Sequence, residues 1–121
     1  MEFALTAGVI AYLQRANVPS AYYYTDLPIA PLWGQRLYDI THPLDQYFDD
    51  AQQGKLANVV MIDPAFSGVG QNDDHPLADV RGGQAFQRDV FKAFAQSSQW
   101  EHGVYINTYD EWGGFYDHVA P

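Results

Sequence analysis

The sequence predicts an α/β domain, a sandwich in which helices cover the faces of a parallel sheet. Helical and strand-like patterns alternate three times along the 121 residues, and parallel strands need such intervening segments to bring the chain back to the same edge. Polar clusters follow the predicted strands, at the edge where the ligands of parallel sheets gather. Hydrophobic residues make up 47% and charged residues 17% of the chain, as in folded domains. We therefore predict a single domain over residues 1–121, with a core of modest size.

The first half of the chain opens with a predicted helix over residues 4–16, where apolar side chains recur at the spacing of one helical face. Pro19 prevents the helix from continuing. The aromatic run at residues 20–25 predicts the first strand. Residues 26–40 contain two prolines and a glycine, a composition that indicates a long irregular loop.

A second helix is predicted over residues 43–53, with Thr41 as its N-terminal cap and Gly54 at its C-terminal end. The apolar run at residues 59–62 follows without any polar interruption. Such a run is typical of a strand that is buried on both faces.

The last third begins with a polar loop over residues 65–81. A third helix is predicted over residues 82–96, where Phe86, Val90 and Phe94 recur every fourth residue. The sequence GVYIN at residues 103–107 then predicts the third strand.

The carboxyl edge of this predicted sheet is rich in side chains that can carry chemistry. Asp63 and His75 follow the second predicted strand, and Asp110 and Glu111 follow the third. Adjacent carboxylates are hard oxygen ligands that suit a divalent cation. The alternative interpretation is that these acids only cap a surface loop, where acids and glycines are common.

The final residues carry a longer pattern, TYDEWGGFYDHVAP at 108–121. It resembles the signature near the end of the catalytic domain in the bacterial phosphoesterase family. The resemblance includes VMIDP at 60–64 and NDDHP at 72–76, and it continues through the predicted third helix. That family comprises phosphatidylcholine-type phospholipases C and related acid phosphatases of the alkaline-phosphatase superfamily. The resemblance thus implies an alkaline-phosphatase-like fold that is incomplete here, because the chain matches the C-terminal part of the catalytic domain.

The same resemblance implies metal-dependent hydrolysis of phosphoric esters, with a phospholipid or a small phosphomonoester as substrate. Asp110 and Glu111 occupy the positions of ligands to a divalent metal cation of unknown identity. His75 matches the histidine that points at the substrate phosphate, where it could neutralise a phosphoryl oxygen or protonate the leaving alkoxide. Otherwise His75 is a solvated loop histidine.

Three further residues have supporting roles by the same resemblance. Asp117 and His118 match the Asp-His of the closing signature, where an acid can orient a histidine ring. Asp63 could be a metal ligand or a group that supports one, or else only the first residue of an Asp-Pro turn.

Two parts of the family pattern are missing from this chain. The early Glu-Asn pair that helps to bind metal has no counterpart, and no residue matches the hydroxyl nucleophile. We therefore predict that the chain has no activity alone. The alternative from another functional class is a non-catalytic, acidic cation-binding or interaction module on the same scaffold.

Composition excludes several other classes of function. The net charge of −9 argues against nucleic-acid binding, and the absence of cysteine excludes disulfides and thiolate chemistry. No apolar run approaches the roughly 18 residues that a membrane-spanning helix needs. Residues 1–16 do not form a good export signal, because Glu2 stands where positive charge is expected.

The family resemblance nevertheless implies that the parent protein is exported to the periplasm or the extracellular space. The predicted sheet is short, and its edges would be covered by other strands in a larger domain. We therefore predict marginal stability or self-association for the isolated chain.

Overall fold

A computed structural model describes residues 2–110 together with residues 114, 116, 118 and 119. Helices and strands follow one another as α1 (Glu2–Arg15), β1 (Ser20–Tyr24), β2 (Thr41–Pro43), α2 (Leu44–Gln53), β3 (Val59–Ile62) and α3 (Val80–Ala95). Three short 3-10 helices lie between or after them. Within the described part of the chain, no helix is long and apolar enough to span a bilayer.

The three strands form an open parallel sheet in the order β2-β1-β3. Tyr22 of the central strand lies opposite Thr41 on one side and Met61 on the other. The α/β class and the parallel sheet are thus as predicted. Among the described residues no further strand pairs with either outer edge, so the self-association expected of an uncovered edge stays a prediction.

The sheet separates two apolar clusters, because successive side chains of a strand point to opposite faces. Tyr22 packs with Ile10 of α1 and with Leu37, and Met61 lies against the same cluster. Tyr23 packs instead with Tyr47 of α2 and Val90 of α3. Both tyrosines of β1 are almost fully buried, so helices cover both faces of the central strand, as the sandwich prediction requires.

The predicted ends of the helices are partly right. Gly54 ends α2 in the left-handed conformation, with a φ of 66°, which glycine adopts without steric cost. Thr41 does not cap this helix, contrary to the prediction. Pro43 occupies the N-cap position, and the hydroxyl of Thr41 donates to the carbonyl of Leu37 at 2.6 Å instead.

The stretch predicted as one irregular loop at residues 26–40 contains two 3-10 helices, Ala30–Trp33 and Gln35–Ile40. They lead directly into β2, a strand that the sequence analysis did not predict. Strand β2 is only three residues long and ends in a proline, which an edge strand tolerates because one side of it makes no ladder.

The prediction of a third strand at residues 103–107 is wrong, since these residues adopt no strand conformation in the described structure. Val104 and Ile106 are 83% and 79% exposed. A strand exists only where a neighbouring backbone accepts and donates its hydrogen bonds, and no described strand lies beside this segment.

Candidate functional site

A cleft of about 760 Å³ lies at the carboxyl edge of the sheet. Asp63 follows β3, and its carbonyl accepts a hydrogen bond from the hydroxyl of Thr25, which follows β1, at 2.8 Å. The cleft is lined by Asp63, His75 and Asp110 together with residues of α3 and of the 106–109 segment. Three of the predicted site residues therefore come from three separate parts of the chain to one cavity.

Asp63 is held by the tyrosine of the central strand. The hydroxyl of Tyr22 donates to Asp63 Oδ2 at 2.6 Å and accepts from the backbone N–H of Ile29 at 3.1 Å. Burial raises the pKa of the Asp63 carboxyl, and the hydrogen bond from Tyr22 partly opposes that rise. Burial also raises the pKa of Tyr22, which keeps its hydroxyl a donor. Asp63 is thus a fixed acceptor on the wall of the cleft.

His75 lies on an exposed loop and is within reach of solvent. Its backbone N–H donates to Asp73 Oδ1 at 3.2 Å, and its ring Nδ1 lies 3.1 Å from the carbonyl oxygen of Pro76. A carbonyl can only accept, so Nδ1 carries the proton in this contact. The other ring nitrogen, Nε2, is then the one that can meet a ligand, as an acceptor when the ring is neutral or a donor when it is cationic.

Asp74, which no sequence pattern singles out, is the buried acid of the NDDHP loop. The residue is 8% exposed, and its Oδ2 accepts hydrogen bonds from Gln87 Nε2 at 3.0 Å and from Tyr109 Oη at 3.2 Å. Oδ1 makes no hydrogen bond. The sequence signal for this role would have been Gly83, whose position on α3 leaves room for the carboxylate.

The two signature segments of the chain contact each other. Gly114, with a φ of +71°, packs so closely on Pro76 that a Cβ at that position would lie 2.6 Å from the proline ring. Asp110, four residues earlier, is exposed. The contact places the NDDHP loop beside the closing signature, so that His75 and Asp110 approach the cleft from neighbouring segments.

Asp26 joins the loops that follow β1 and β3. Its carboxylate accepts from the backbone N–H of Phe66 and from both the N–H and the hydroxyl of Ser67, at 2.9 to 3.1 Å. Desolvation alone would raise the pKa of Asp26, but these hydrogen bonds, with one from the Leu27 N–H, lower it. Asp26 is ionised under ordinary conditions and holds the two loops together.

The remaining predicted site residues are placed as follows. Glu111 and Asp117 lie outside the described residues. His118 is exposed. Within the part of the chain that the structure describes, no three acidic or histidine side chains converge on one point. The carboxylates that line the cleft are hard donors of the kind that a divalent cation prefers.

The chain is similar to proteins of one family of phosphoester-cleaving enzymes. The sequence model of the phosphoesterase family matches residues 3–121. Non-specific phospholipase C6 of Arabidopsis thaliana is 36% identical over 107 residues, which cover 85% of this chain and 20% of that protein. Non-specific phospholipase C1 of the same plant is 35% identical over 122 residues, 98% of this chain and 21% of that protein.

A similar bacterial protein is phospholipase C B of Mycobacterium tuberculosis. It is 33% identical over 82 residues, which cover 67% of this chain and 15% of that protein. The chain therefore spans about a fifth of the length of the curated relatives that it matches, or less.

Proposed function

Because the chain belongs to the phosphoesterase family, we propose that it forms the C-terminal part of the catalytic domain of a metal-dependent phosphoric ester hydrolase. The observation that carries this proposal is that Asp63, His75 and Asp110 line one and the same cleft. Parallel sheets bind ligands at this edge. We propose an alkaline-phosphatase-like fold for the whole domain, in which the three described strands belong to a larger sheet.

In this proposal Asp110 and Glu111 hold a divalent cation. The cation would neutralise charge on the phosphoryl group and on the attacking oxygen. His75 approaches the same substrate through Nε2, where it stabilises a phosphoryl oxygen or gives a proton to the leaving alkoxide. The contact of Nδ1 with the Pro76 carbonyl supports this role, because it fixes which nitrogen faces a ligand.

Asp63, Asp117 and His118 are assigned supporting roles. Asp63 is anchored by the Tyr22 hydroxyl, so it can orient a ligand or a water at the wall of the cleft without moving. Asp117 and His118 belong to the closing signature, where the acid would orient the histidine ring.

The nucleophile is proposed to come from outside this chain. Two hydroxyls near the cleft already donate to protein acceptors, that of Thr25 to the Asp63 carbonyl and that of Ser67 to the Asp26 carboxylate. A hydroxyl nucleophile needs instead a base that accepts its proton and a free path to phosphorus. The isolated chain is accordingly expected to hydrolyse nothing above background.

The relatives support one of the two substrate classes. Those compared are named as phospholipases C, which favours a phospholipid over a small phosphomonoester. By the same family resemblance we propose that the parent protein is exported.

Calorimetric titration of the chain with Mg²⁺, Ca²⁺, Mn²⁺ and Zn²⁺ tests the metal assignment. Two carboxylates without further ligands should bind weakly, and Asp110→Asn should weaken binding at least tenfold because it removes one anionic ligand. Asp49→Asn is the matched control, since Asp49 is an exposed acid on α2 that does not line the cleft. Equal affinity in the Asp110 variant and the native chain would disprove the assignment.

Turnover assays test the rest of the proposal. The native chain should release no product from phosphatidylcholine or p-nitrophenyl phosphate at pH 5 to 9, with or without cation. Cation-dependent turnover that Asp110→Asn abolishes would show that the chain needs no further nucleophile. The alternative, a non-catalytic cation-binding module, is favoured if the gene encodes no nucleophile motif upstream of Met1.

A further inference from the structure

We propose that Asp74 is a positioning residue, which locks the loop that carries His75 to the segment that carries Asp110 through one turn of α3. The functional part of this statement rests on the roles proposed above for His75 and Asp110. The structural part rests on contacts that can be measured without any cation or substrate.

The first observation is the burial of the Asp74 carboxylate. The residue is 8% exposed, and its backbone has a φ of +60°, a conformation that aspartate adopts more readily than most residues but that still costs energy. A polar group that is removed from water costs free energy unless it is hydrogen-bonded. The uncommon backbone angle and the buried carboxyl group occur at the same residue, so the conformation of the loop is tied to the placement of this side chain.

The second observation is a notch on α3 that accepts one carboxylate oxygen. Asp74 Oδ1 lies against Gly83, and a Cβ at that position would overlap the carboxylate. Gly82, the preceding residue of the same helix, has ordinary contact distances of 3.5 Å or more for an added Cβ. The notch is therefore specific to one of two adjacent glycines.

The third observation is the network of hydrogen bonds around the other carboxylate oxygen of Asp74, Oδ2. Gln87 lies four residues after Gly83 and hence on the same face of α3. Its Nε2 donates to Asp74 Oδ2 at 3.0 Å and to Tyr109 Oη at 2.6 Å, while its Oε1 accepts from Asn107 Nδ2 at 2.9 Å. Tyr109 Oη itself donates to Asp74 Oδ2 at 3.2 Å.

These contacts place two anchors next to two residues of the proposed site. Asp74 immediately precedes His75, and Tyr109 immediately precedes Asp110, so each site residue is one Cα–Cα step of about 3.8 Å from its anchor. Residues 103–110 form no backbone ladder with the described sheet. The side-chain hydrogen bonds around Asp74 therefore contribute much of the interaction that holds Asp110 near His75.

Two glycine variants separate this proposal from a general effect on folding. Gly83→Ala and Gly82→Ala both add one methyl group to the same turn of α3, and alanine favours the helix equally at both positions. Only Gly83→Ala fills the notch. In NMR spectra of the cation-free chain, Gly83→Ala should abolish the nuclear Overhauser effects between the Tyr109 ring and the Gln87 side chain and should shift the His75 ring signals.

The same spectra should show the Ser20–Val59 contacts of the sheet intact in both variants, and Gly82→Ala should retain all native contacts. Asp74→Ala should reproduce the losses of Gly83→Ala. Asp74→Asn should restore most of the Tyr109–Gln87 effects, since an amide oxygen can still accept from both donors. This rescue is not expected if the negative charge of Asp74, and not its capacity to accept hydrogen bonds, is what the contacts require.

Native Tyr109–Gln87 effects and native His75 signals in both Gly83→Ala and Asp74→Ala would overturn the proposal. If Asp74→Ala does not fold, the comparison of Gly83→Ala with Gly82→Ala still decides. The test is independent of the proposed function, because it contains neither cation nor ester. Failure of the metal titrations with native anchoring contacts would count against the function alone.

Discussion

Strand β1 and the segment at residues 103–110 begin from similar sequences and reach different structures. Both contain runs of apolar and aromatic residues, and residues 20–25 and 103–107 are predicted as strands. Strand β1 pairs with a parallel neighbour on each side and buries Tyr22 and Tyr23 almost completely. The 103–110 segment makes no described ladder and is held by side chains on α3.

The side chains that hold the segment are of two kinds. The ring of Tyr105 contacts those of Phe91 and Phe94, with centroids 5.4 and 6.5 Å apart, and polar groups of Asn107 and Tyr109 bond Gln87. Segments with few buried contacts and exposed backbone open at low free-energy cost. The comparison teaches that β-propensity selects an extended chain, whereas a neighbouring backbone is needed to make that chain a stable strand.

The largest difference between the two regions is expected when one aromatic ring is removed from each, Tyr22 from strand β1 and Tyr105 from the 103–110 segment. Tyr22→Ala should cost about 3–5 kcal/mol of the free energy of unfolding, the usual loss for a buried aromatic side chain, and could leave a marginally stable chain unfolded. Tyr105→Ala should cost about 1 kcal/mol, because that ring is only partly buried and contributes mainly its aromatic contacts. Urea unfolding followed by circular dichroism measures both. Equal losses would mean that the segment is as firmly held as the sheet.

The loss of folding stability at acid pH should depend on Asp26, in the loop that follows β1. Since the pKa of Asp26 is lowered in the folded chain, its contribution is present above the unfolded pKa of about 4 and is lost as the pH falls through the folded value. Asp26→Ala should cost about 1–2 kcal/mol at pH 7, from hydrogen bonds to a charged acceptor, and should flatten the loss of stability below pH 4. If the Asp26→Ala variant lost stability below pH 4 as steeply as the native chain, the stabilising role assigned to the Asp26 carboxylate would be wrong.

Asp63, after β3, should show the opposite dependence. Its pKa is raised in the folded chain, so its contribution is present below about pH 4 and is lost as the pH rises through the folded value. Asp63→Asn should therefore remove a decline in stability that begins just above pH 4 in the native chain. Melting temperatures measured from pH 3 to 8 would show this, and a native slope in the variant would disprove it.

The smallest expected effect comes from an exposed residue of the 103–110 segment. Val104→Thr should change the free energy of unfolding by less than about 0.5 kcal/mol, as surface substitutions usually do. Val60→Thr is the matched control on β3. Val60 packs against the buried cluster around Tyr23, so its variant should lose about 1–2 kcal/mol by burying an additional hydroxyl. A similar loss at Val104 would indicate that the segment is a strand after all.

Local patterns predicted most of the fold because they act within a few residues. Helices α1, α2 and α3 and strands β1 and β3 were predicted to within about two residues of their bounds. Strand β2 could not be predicted because its three residues become a strand only through pairing with β1. The strand predicted at residues 103–107 is absent for the related reason that the sequence of a segment does not tell whether a neighbouring strand is there to pair with it.

For the candidate site, the sequence predicted where some residues lie, while their roles stay predictions. Asp63, His75 and Asp110 were expected at one edge of the sheet, and all three line the cleft. The expectation for Asp110 rested on a third strand at residues 103–107 that the described structure does not contain. Asp74 was overlooked because four polar residues in a row, Gln71 to Asp74, precede His75, and nothing in the local sequence tells which of them is buried. That choice is made by Gly83, nine residues further on, whose missing side chain admits the carboxylate.

The position of β1 at the centre of the sheet also affects how the chain is synthesised. Ribosomes deliver residues 20–24 first, before either of the strands that will flank them. Until β2 and β3 emerge, the AYYY run has both backbone edges unpaired, and aromatic β-prone runs in that state are prone to wrong pairing. A chain truncated after residue 58 should therefore aggregate more readily, by light scattering, than one truncated after residue 96. Slow translation between Tyr24 and Ile62 would then lengthen the period in which a nascent chain depends on chaperones.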